Sequence, residues 1–562
     1  MSAPGPRPFL LACGITAGLL GATVASTVVS TLASSAAAAA TEASTSQLQI
    51  DLMFTRLRLA IMAAGFVVFA AGPWLWGRAH PGSLLPRLRL TLLALLALAS
   101  VALYYNFFRL HHPGGLKATD VYHYYMGSKY ADEVGYFDLY HCTLAGLLEA
   151  GIESRFDIPP LRDQRTLAME SREEALARSR QCAAGFAPER WSRFKADMLW
   201  FRPHIRGDGW SLVLEDHGYN PTPVWTFAAA PLTARIPLGS SSFRLLLLAD
   251  RALVVLALGC LGWAFGFEAM CLAAIVWGSG YHWSYTWIGD SLLRNLWLAS
   301  SVVGLCLLHK GRHAASGALL AFATLLRLFP AIFILGAALQ AASQWWREGR
   351  LASGARRFGA AVLIASALLV GASVWSFEHG AGPYAGFMEK MSVFAPKPAQ
   401  NKIGLSALSD SVLREWTAVE VIDPAGRRIF VPQHAPLRTA LVRGIQIGLV
   451  LLGLALYTRA VWRAGPAEAA AASVALIPLL SSPANYYYGF VLAVAMLAGR
   501  RPRIGIALAA CALAWLVNAL VFYRLPSEYI GASVIAVALA FAVLVDMNRP
   551  ASAAHGPPIP AN

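Results

Sequence analysis

The stretch GDSLLRNLWLASSVVGLCLLHKGRHAASGALLAFATLLRLFPAIFILG, residues 289–336, decides the fold class. Apolar runs at 292–308 and 314–326 flank a basic turn at 310–313, and a third run, 328–342, follows a lone Arg327. That pattern suits a chain that crosses a bilayer, turns among Lys, Arg and His on the cytoplasmic side and returns. The rest of the chain has the same character. Of its 562 residues 57% are hydrophobic and 14% charged, and the mean hydropathy is +0.52. A soluble protein so composed would expose too much apolar surface to water. The formal charge of +15 fits basic cytoplasmic loops and anionic lipid headgroups. No basic patch with interleaved stacking aromatics marks a soluble domain, so no nucleic acid is expected among the partners.

Parity gives the topology. Spans read at 57–77 and 90–108, and the link between them carries Arg78, Arg87 and Arg89, which puts that link inside and Asp120 outside. The basic links at 310–313, 347–357, 459–463 and 500–503 belong inside too, so even numbers of crossings separate them. The runs 358–377 with 437–457, and 467–480 with 486–498, supply such pairs, and 314–326 with 328–342 forms a hairpin around Arg327. Adding 243–263, 268–280, 292–308, 504–523 and 530–545, the expectation is an all-α polytopic bundle of about 13 transmembrane helices with a cytoplasmic C-terminus. The N-terminal region 1–46 is either a retained helix, which would be a fourteenth span, or a signal cleaved near 36–40; both leave Gln47 outside. One transmembrane domain, 47–545, then carries outer loops at about 109–242 and 378–436, followed by a disordered cytoplasmic tail, 546–562.

The first outer loop has room for several helices, with a charged helical stretch at 162–180, and the second holds a β-like turn segment, VIDPAGRRIFVP. The cysteines carry no CxxC and no metal-ligand spacing, and Cys13, Cys260, Cys271, Cys306 and Cys511 fall in apolar runs. Cys142 and Cys182 are the pair in the first outer loop, where an oxidising compartment allows a disulfide that would contribute roughly 3 to 4 kcal/mol by loop entropy.

For chemistry, the chain has no GxxxxGK[ST] phosphate loop, no GxSxG elbow and no HExxH pair. Attention falls instead on TDVYHYYMGSKYADEVGYFDLY, residues 119–140, directly after a span. Asp120 lies there with His123 and Tyr124 three and four residues on, so all three share a helical face. A carboxylate just outside the bilayer can take a proton from a hydroxyl; the plain alternative is a solvated surface acid.

Five elements in order resemble the polytopic GT-C glycosyltransferases, and most closely glycosyltransferase family 87, the polyprenol-phosphate-mannose-dependent α-mannosyltransferases. They are DVYHYY with the G-x-x-x-L-Y run at 135–140; GYNPTPVWTFAAAPL, 218–232; the 289–336 stretch; NKIGLSALSD, 401–410; and LSSPANYYYGF, 480–490. The chain departs from the family pattern at Asp290, where Gln is usual, at Arg327 and Leu328, where Lys-Pro is usual, and at Tyr487, often His. The sugar and acceptor can differ accordingly.

The resemblance implies an enzyme of the cell envelope, multi-pass in a bacterial-type inner membrane. It would move a hexose such as mannose, with inversion, from a polyprenyl-phosphate-sugar donor to a glycan or glycolipid acceptor on the outer face. Asp120 would be the general base. Arg327, a charge within an apolar hairpin, suits the donor phosphate, unless it snorkels to an interface. His282, Asp290, His123, Lys402, Asn485 and Tyr487 are further substrate-binding candidates, with Lys397 behind them; Glu133 is the second choice of carboxylate. Trp and Tyr at span ends also serve as interface belts, which is the plain reading of YHWSYTWIGD and NYYY. Phosphate leaves without protonation, so neither a metal nor a cofactor is required. A flippase or transporter of a lipid-linked substrate, or a catalytically degenerate scaffold, would share many of these features.

Overall fold

A computed structural model of the chain describes residues 43–75, 84–108, 115–151, 159–205, 209–394, 401–422, 428–432, 436–523, 525 and 527–550. The N-terminal segment through residue 42, Arg78, Lys397 and the tail beyond residue 550 lie outside the described residues. Among the described residues, seven helices are long and apolar enough to cross a membrane: Gln49–Ala71, Leu85–Tyr104, Ser241–Phe265, Ser353–Ser376, Pro436–Val461, Pro502–Val521 and Ser527–Met547. In coarse terms the protein is a helical membrane protein. Among the described residues one two-stranded sheet occurs, a β-hairpin of Ala418–Ile422 with Arg428–Pro432, antiparallel with Val419 opposite Val431.

The other expected spans fall on shorter elements. Phe267–Ser279, Leu296–His309 and His313–Leu326 are short apolar helices, and Ala331–Glu348 follows Arg327. Pro466–Leu480 changes from α-helix to 3₁₀ and back at Ser473–Leu476. The run at 486–498 is not the regular helix expected of a span. It is a 3₁₀ segment, Asn485–Val491, followed by one α-turn, Leu492–Ala495. Asn485 is the reason: its backbone N–H donates to Asn401 O at 2.8 Å and its side-chain amide to His282 O at 3.1 Å, which fixes the start of the run in a non-α geometry.

The chain forms two compact units. The first comprises Met1–Arg109, Leu258–Trp287 and Gln400–Asn562. Helix Phe267–Ser279 is buried on nearly every side and packs against Leu85–Tyr104. Ser100 Oγ donates to Ile275 O at 3.0 Å and meets Ser279 Oγ at 3.0 Å, while Arg89 makes a two-pronged pair with Glu268 at 2.6 and 2.9 Å. Between apolar helices, where hydrophobicity gives little preference for one partner over another, such polar contacts set the register. Trp515 Nε1 to Ala532 O, 3.1 Å, and Asn518 Nδ2 to Glu528 O, 2.8 Å, do the same for the last two spans.

The second unit comprises Leu110–Ala257 and Ile288–Ala399. Helices His313–Leu326 and Ser353–Ser376 touch at backbone distance: a Cβ on Gly317 would come within 2.4 Å of the Phe358 carbonyl oxygen, so a larger residue there would push the helices apart. Ser353–Ser376 keeps Leu363 72% and Trp375 90% exposed, the outward apolar face a helix presents to hydrocarbon. The segment read as the first outer loop folds into a layer of helices: Ala118–Lys129, Ala131–Val134, Leu139–Glu149, Arg172–Cys182, Pro188–Phe201, Gly209–Leu214 and Pro223–Arg235. Their starts are encoded locally. Ser171 and Glu174 form a reciprocal capping box, and Thr222 caps Trp225 N at 3.2 Å ahead of Pro223.

Cys142 and Cys182 are joined by a disulfide with their Cα atoms 5.2 Å apart, linking helices Leu139–Glu149 and Arg172–Cys182. Cys142→Ser should lower the stability of this layer by roughly 3 to 4 kcal/mol. Thermal unfolding in detergent, compared for the variant, the oxidised protein and the reduced protein, reads the loss, with the reduced wild type expected to match the variant.

Candidate functional site

Asp120 sits in the first turn of helix Ala118–Lys129, in the second unit, with its side chain 20% exposed. Three groups gather on one of its oxygens. Oδ2 lies 3.1 Å from Lys117 Nζ, accepts from Ser291 Oγ at 3.0 Å and lies 3.9 Å from Arg294 Nη1. Among the described residues no group is bonded to Oδ1, so that oxygen is open to an incoming donor. Burial would raise the carboxyl, but the charges of Lys117 and Arg294, with hydrogen bonds from Lys117 and Ser291, outweigh it and hold Asp120 below the usual carboxylate range. It is ionised at neutral pH.

One turn along, Tyr124 collects two guanidinium groups. Its hydroxyl accepts from Arg294 Nη1 at 2.9 Å and from Arg327 Nη2 at 2.7 Å. Arg327 ends helix His313–Leu326 in an extended conformation and is only 8% exposed, so it is a buried cation rather than one reaching to an interface. Thr222, which caps the helix of the GYNPTPVW run, donates its hydroxyl to Leu325 O beside it. Two expected site residues, Asp120 and Arg327, are thus brought together through Tyr124 and Arg294.

Ser291 and Arg294 reach Asp120 because the chain from Gly289 to Asn295 is forced out of regular helix. Asp290 and Leu293 both take left-handed backbone conformations, φ 55° and 47°, the second unfavourable for leucine by roughly 1 to 2 kcal/mol. The segment is held from outside. Asp250 accepts from the Asn295 backbone N–H at 2.6 Å and from its side-chain amide at 2.7 Å, and Arg251 pairs with the Asp290 carboxylate. Lys117 N donates to Asp290 O at 3.0 Å. Asp290 therefore serves the architecture of the site, with a carboxylate engaged by Arg251.

His123 is buried, and its hydrogen-bond partners lie outside this cluster. Its Nε2 meets Tyr140 Oη at 2.8 Å and Val213 O at 3.4 Å, and Nδ1 lies 3.9 Å from Asp216. Burial lowers its imidazole below the usual histidine value, against the pull of Asp216 and Asp120. Glu133, the alternative carboxylate, pairs with Arg190.

Lys390 was invisible in the sequence, where it is one more loop lysine. From helix Gly382–Phe394 its amine enters the protein, 1% exposed, and donates to Tyr219 O at 2.7 Å, Gln164 Oε1 at 3.1 Å and Tyr136 O at 3.2 Å. Burial pushes it down to about 7, with Asp216 opposing. The amine fixes Tyr136 and Tyr219, stacked at 5.8 Å, and Tyr219 in turn lies edge-on to Trp225, which lies edge-on to Tyr124. A Cβ at Gly127 would fall 2.3 Å from the Tyr219 ring, so this wall closes directly on the Asp120 helix.

The remaining candidates belong to the first unit. His282 is fully buried, with Nδ1 4.0 Å from Glu528 Oε1 and its ring edge-on to Trp515. Asn485 is fully buried too, and its amide is engaged within the unit, donating to His282 O and accepting from Asn401 Nδ2 at 3.2 Å. Lys402 forms an isolated β-bridge with Ala484 and is half-buried, which lowers its amine against the opposing charge of Asp410. Tyr487 is half-buried and lies 4.6 Å from the Tyr486 ring. Among the described residues, no three His, Cys, Asp or Glu side chains come together closely enough to hold a metal ion.

Lys390→Met should destabilise the second unit by about 2 to 4 kcal/mol, since it leaves buried carbonyl oxygens without a donor; thermal unfolding in detergent measures this. The depressed Asp120 carboxyl has a pH consequence. Its contribution to stability is complete above the unfolded carboxylate value of about 3.9 and is lost as pH falls through the lower folded value. Melting midpoints recorded from pH 6 down to pH 3 should therefore fall less steeply for Asp120→Asn than for the wild type. Comparison of the chain with models of known protein families, with curated proteins and with solved structures finds no match.

Proposed function

We propose that the protein is a membrane glycosyltransferase of the GT-C type, closest to glycosyltransferase family 87. It moves a hexose such as mannose from a polyprenyl-phosphate-sugar to a hydroxyl of a glycan or glycolipid acceptor on the extracytoplasmic face of a bacterial-type inner membrane. The observation that carries this reading is the asymmetry of Asp120. Its Oδ2 is held by Lys117, Ser291 and Arg294, and its Oδ1 is left open. A carboxylate so fixed and so charged is arranged to accept a proton.

The cations supply the other half. Arg294 and Arg327 share a neutral phenol, Tyr124, as an acceptor. A phosphate is a better partner for both guanidinium groups than a phenol is. In the reaction the acceptor oxygen forms a bond to the anomeric carbon while the bond from that carbon to the phosphate oxygen breaks. The phosphate leaves with the bonding pair as polyprenyl phosphate, and the hydroxyl proton passes to Asp120 Oδ1. Attack opposite the leaving group inverts the anomeric centre. As Arg294 turns to the phosphate, less positive charge bears on Asp120, and its carboxylate becomes a stronger base.

Asp120→Asn should reduce transfer from a polyprenyl-phosphate-sugar by roughly a hundred- to ten-thousand-fold while leaving donor binding in place. Arg327→Gln should weaken donor binding by about ten- to a hundredfold. Transfer is read with radiolabelled donor in proteoliposomes. Turnover retained in Asp120→Asn would sink the proposal, and translocation of the lipid-linked sugar without transfer would replace it with a carrier.

A further inference from the structure

At the end of helix Pro436–Val461, in the first unit, lies a recess of about 510 Å³ lined by Ala455, Thr458, Arg459, Trp462 and Arg463. Thr458 and Arg459 lie in the last turn of the helix and Trp462 and Arg463 in the turn that follows it, and all four line the one recess. Both arginines are exposed, and Trp462 is 39% exposed. Neighbouring charges are matched differently. Arg500 pairs with Glu468 at 3.0 Å and Arg501 with Asp546 at 3.7 Å, whereas among the described residues neither Arg459 nor Arg463 has a carboxylate partner. These elements adjoin the recess helix: Tyr457 Oη donates to Ala469 O at 2.8 Å and Asn548 Nδ2 to Leu456 O at 2.9 Å. The acids within reach are thus already engaged.

The side of the helix leading away from the recess is apolar and open. Leu451 is 60% exposed and Leu452 50%, and Ile445 and Ile447 continue the exposed apolar surface toward the helix start. An unmatched arginine pair with an indole, set at the end of a bare apolar track, has the division of an amphiphile: charge at one end, hydrocarbon along the other. Tryptophan is also enriched at membrane interfaces.

We propose that this recess binds the headgroup of an anionic glycerophospholipid. The phosphate lies between Arg459 and Arg463 with Thr458 and Trp462 beside it, and the acyl chains run along the Leu451 and Leu452 face. A free phosphate would use the arginines but have no use for the apolar track.

The test is native mass spectrometry of the full-length protein in a neutral detergent, titrated with phosphatidylglycerol or phosphatidylcholine. For the double variant R459Q/R463Q, phosphatidylglycerol affinity is expected to fall roughly thirtyfold, from about 1 kcal/mol per basic residue near the surface, with phosphatidylcholine binding unchanged. R459K/R463K should retain most of the binding. R356Q/R357Q, an exposed basic pair outside the recess, should behave as wild type. Equal loss in R356Q/R357Q, or no loss in R459Q/R463Q, would overturn the proposal in favour of undirected surface charge. Displacement of the lipid by millimolar inorganic phosphate would overturn it in favour of a free-phosphate site.

Discussion

A carboxylate and two guanidinium groups cannot be buried among tyrosines separately; each alone would cost several kcal/mol to desolvate. In the second unit they are brought together, with Arg327 buried and Asp120 and Arg294 half-buried. Asp120 Oδ2 takes Lys117, Ser291 and Arg294, and the Tyr124 hydroxyl takes Arg294 and Arg327, so Arg294 is the member common to both sets. The arrangement rests on a distorted backbone, because Ser291 and Arg294 point where they do only while Asp290 and Leu293 stay left-handed. Asp250 and Arg251, on a neighbouring helix, hold that distortion in place. Strain in one segment is thus matched by ion pairing in another, and the charged cluster is their joint product.

Some of this was legible in the residues. Asp120 and Arg327 stood out because each is a charge beside or within an apolar run, which the bilayer penalises unless it is used. The same argument applies to Arg294, set between Leu292-Leu293 and Asn295 at the head of an apolar run, but a span starting at 292 takes it into the helix and hides it. The resemblance makes Asp290 a ligand-binding candidate, whereas its carboxylate is engaged by Arg251 and its backbone shapes the segment. His123 shares a nominal face with Asp120, yet three residues on a helix differ by some 60° from true alignment, and that was enough to turn it to Tyr140. Lys390 could not be found from sequence, since burial of a lysine depends on three acceptors drawn from residues far away in the chain.

The long apolar helices were easiest to read, because twenty apolar residues in a row allow few other structures. The short ones were harder. In 486–498 the hydropathy is adequate but the polar start, NYYY, is tied down by Asn401 and His282, and tertiary hydrogen bonds override the apolar signal. The first-unit candidates show a related effect. Asn485 and His282 are fully enclosed, and the Asn485 amide serves the protein's own carbonyl and amide groups, while Lys402 and Tyr487 keep part of their surface.

The bond between Cys142 and Cys182 bears on how the protein is made. The helices it joins, Leu139–Glu149 and Arg172–Cys182, belong to the same layer as the Asp120 helix, and a thiol pair stays reduced in a cytosolic environment. Locking of this layer therefore requires an oxidant, whatever order the spans insert in. Synthesis, membrane insertion and maturation become separable stages, and the supply of oxidant, rather than translation, can set the pace at which the finished protein accumulates.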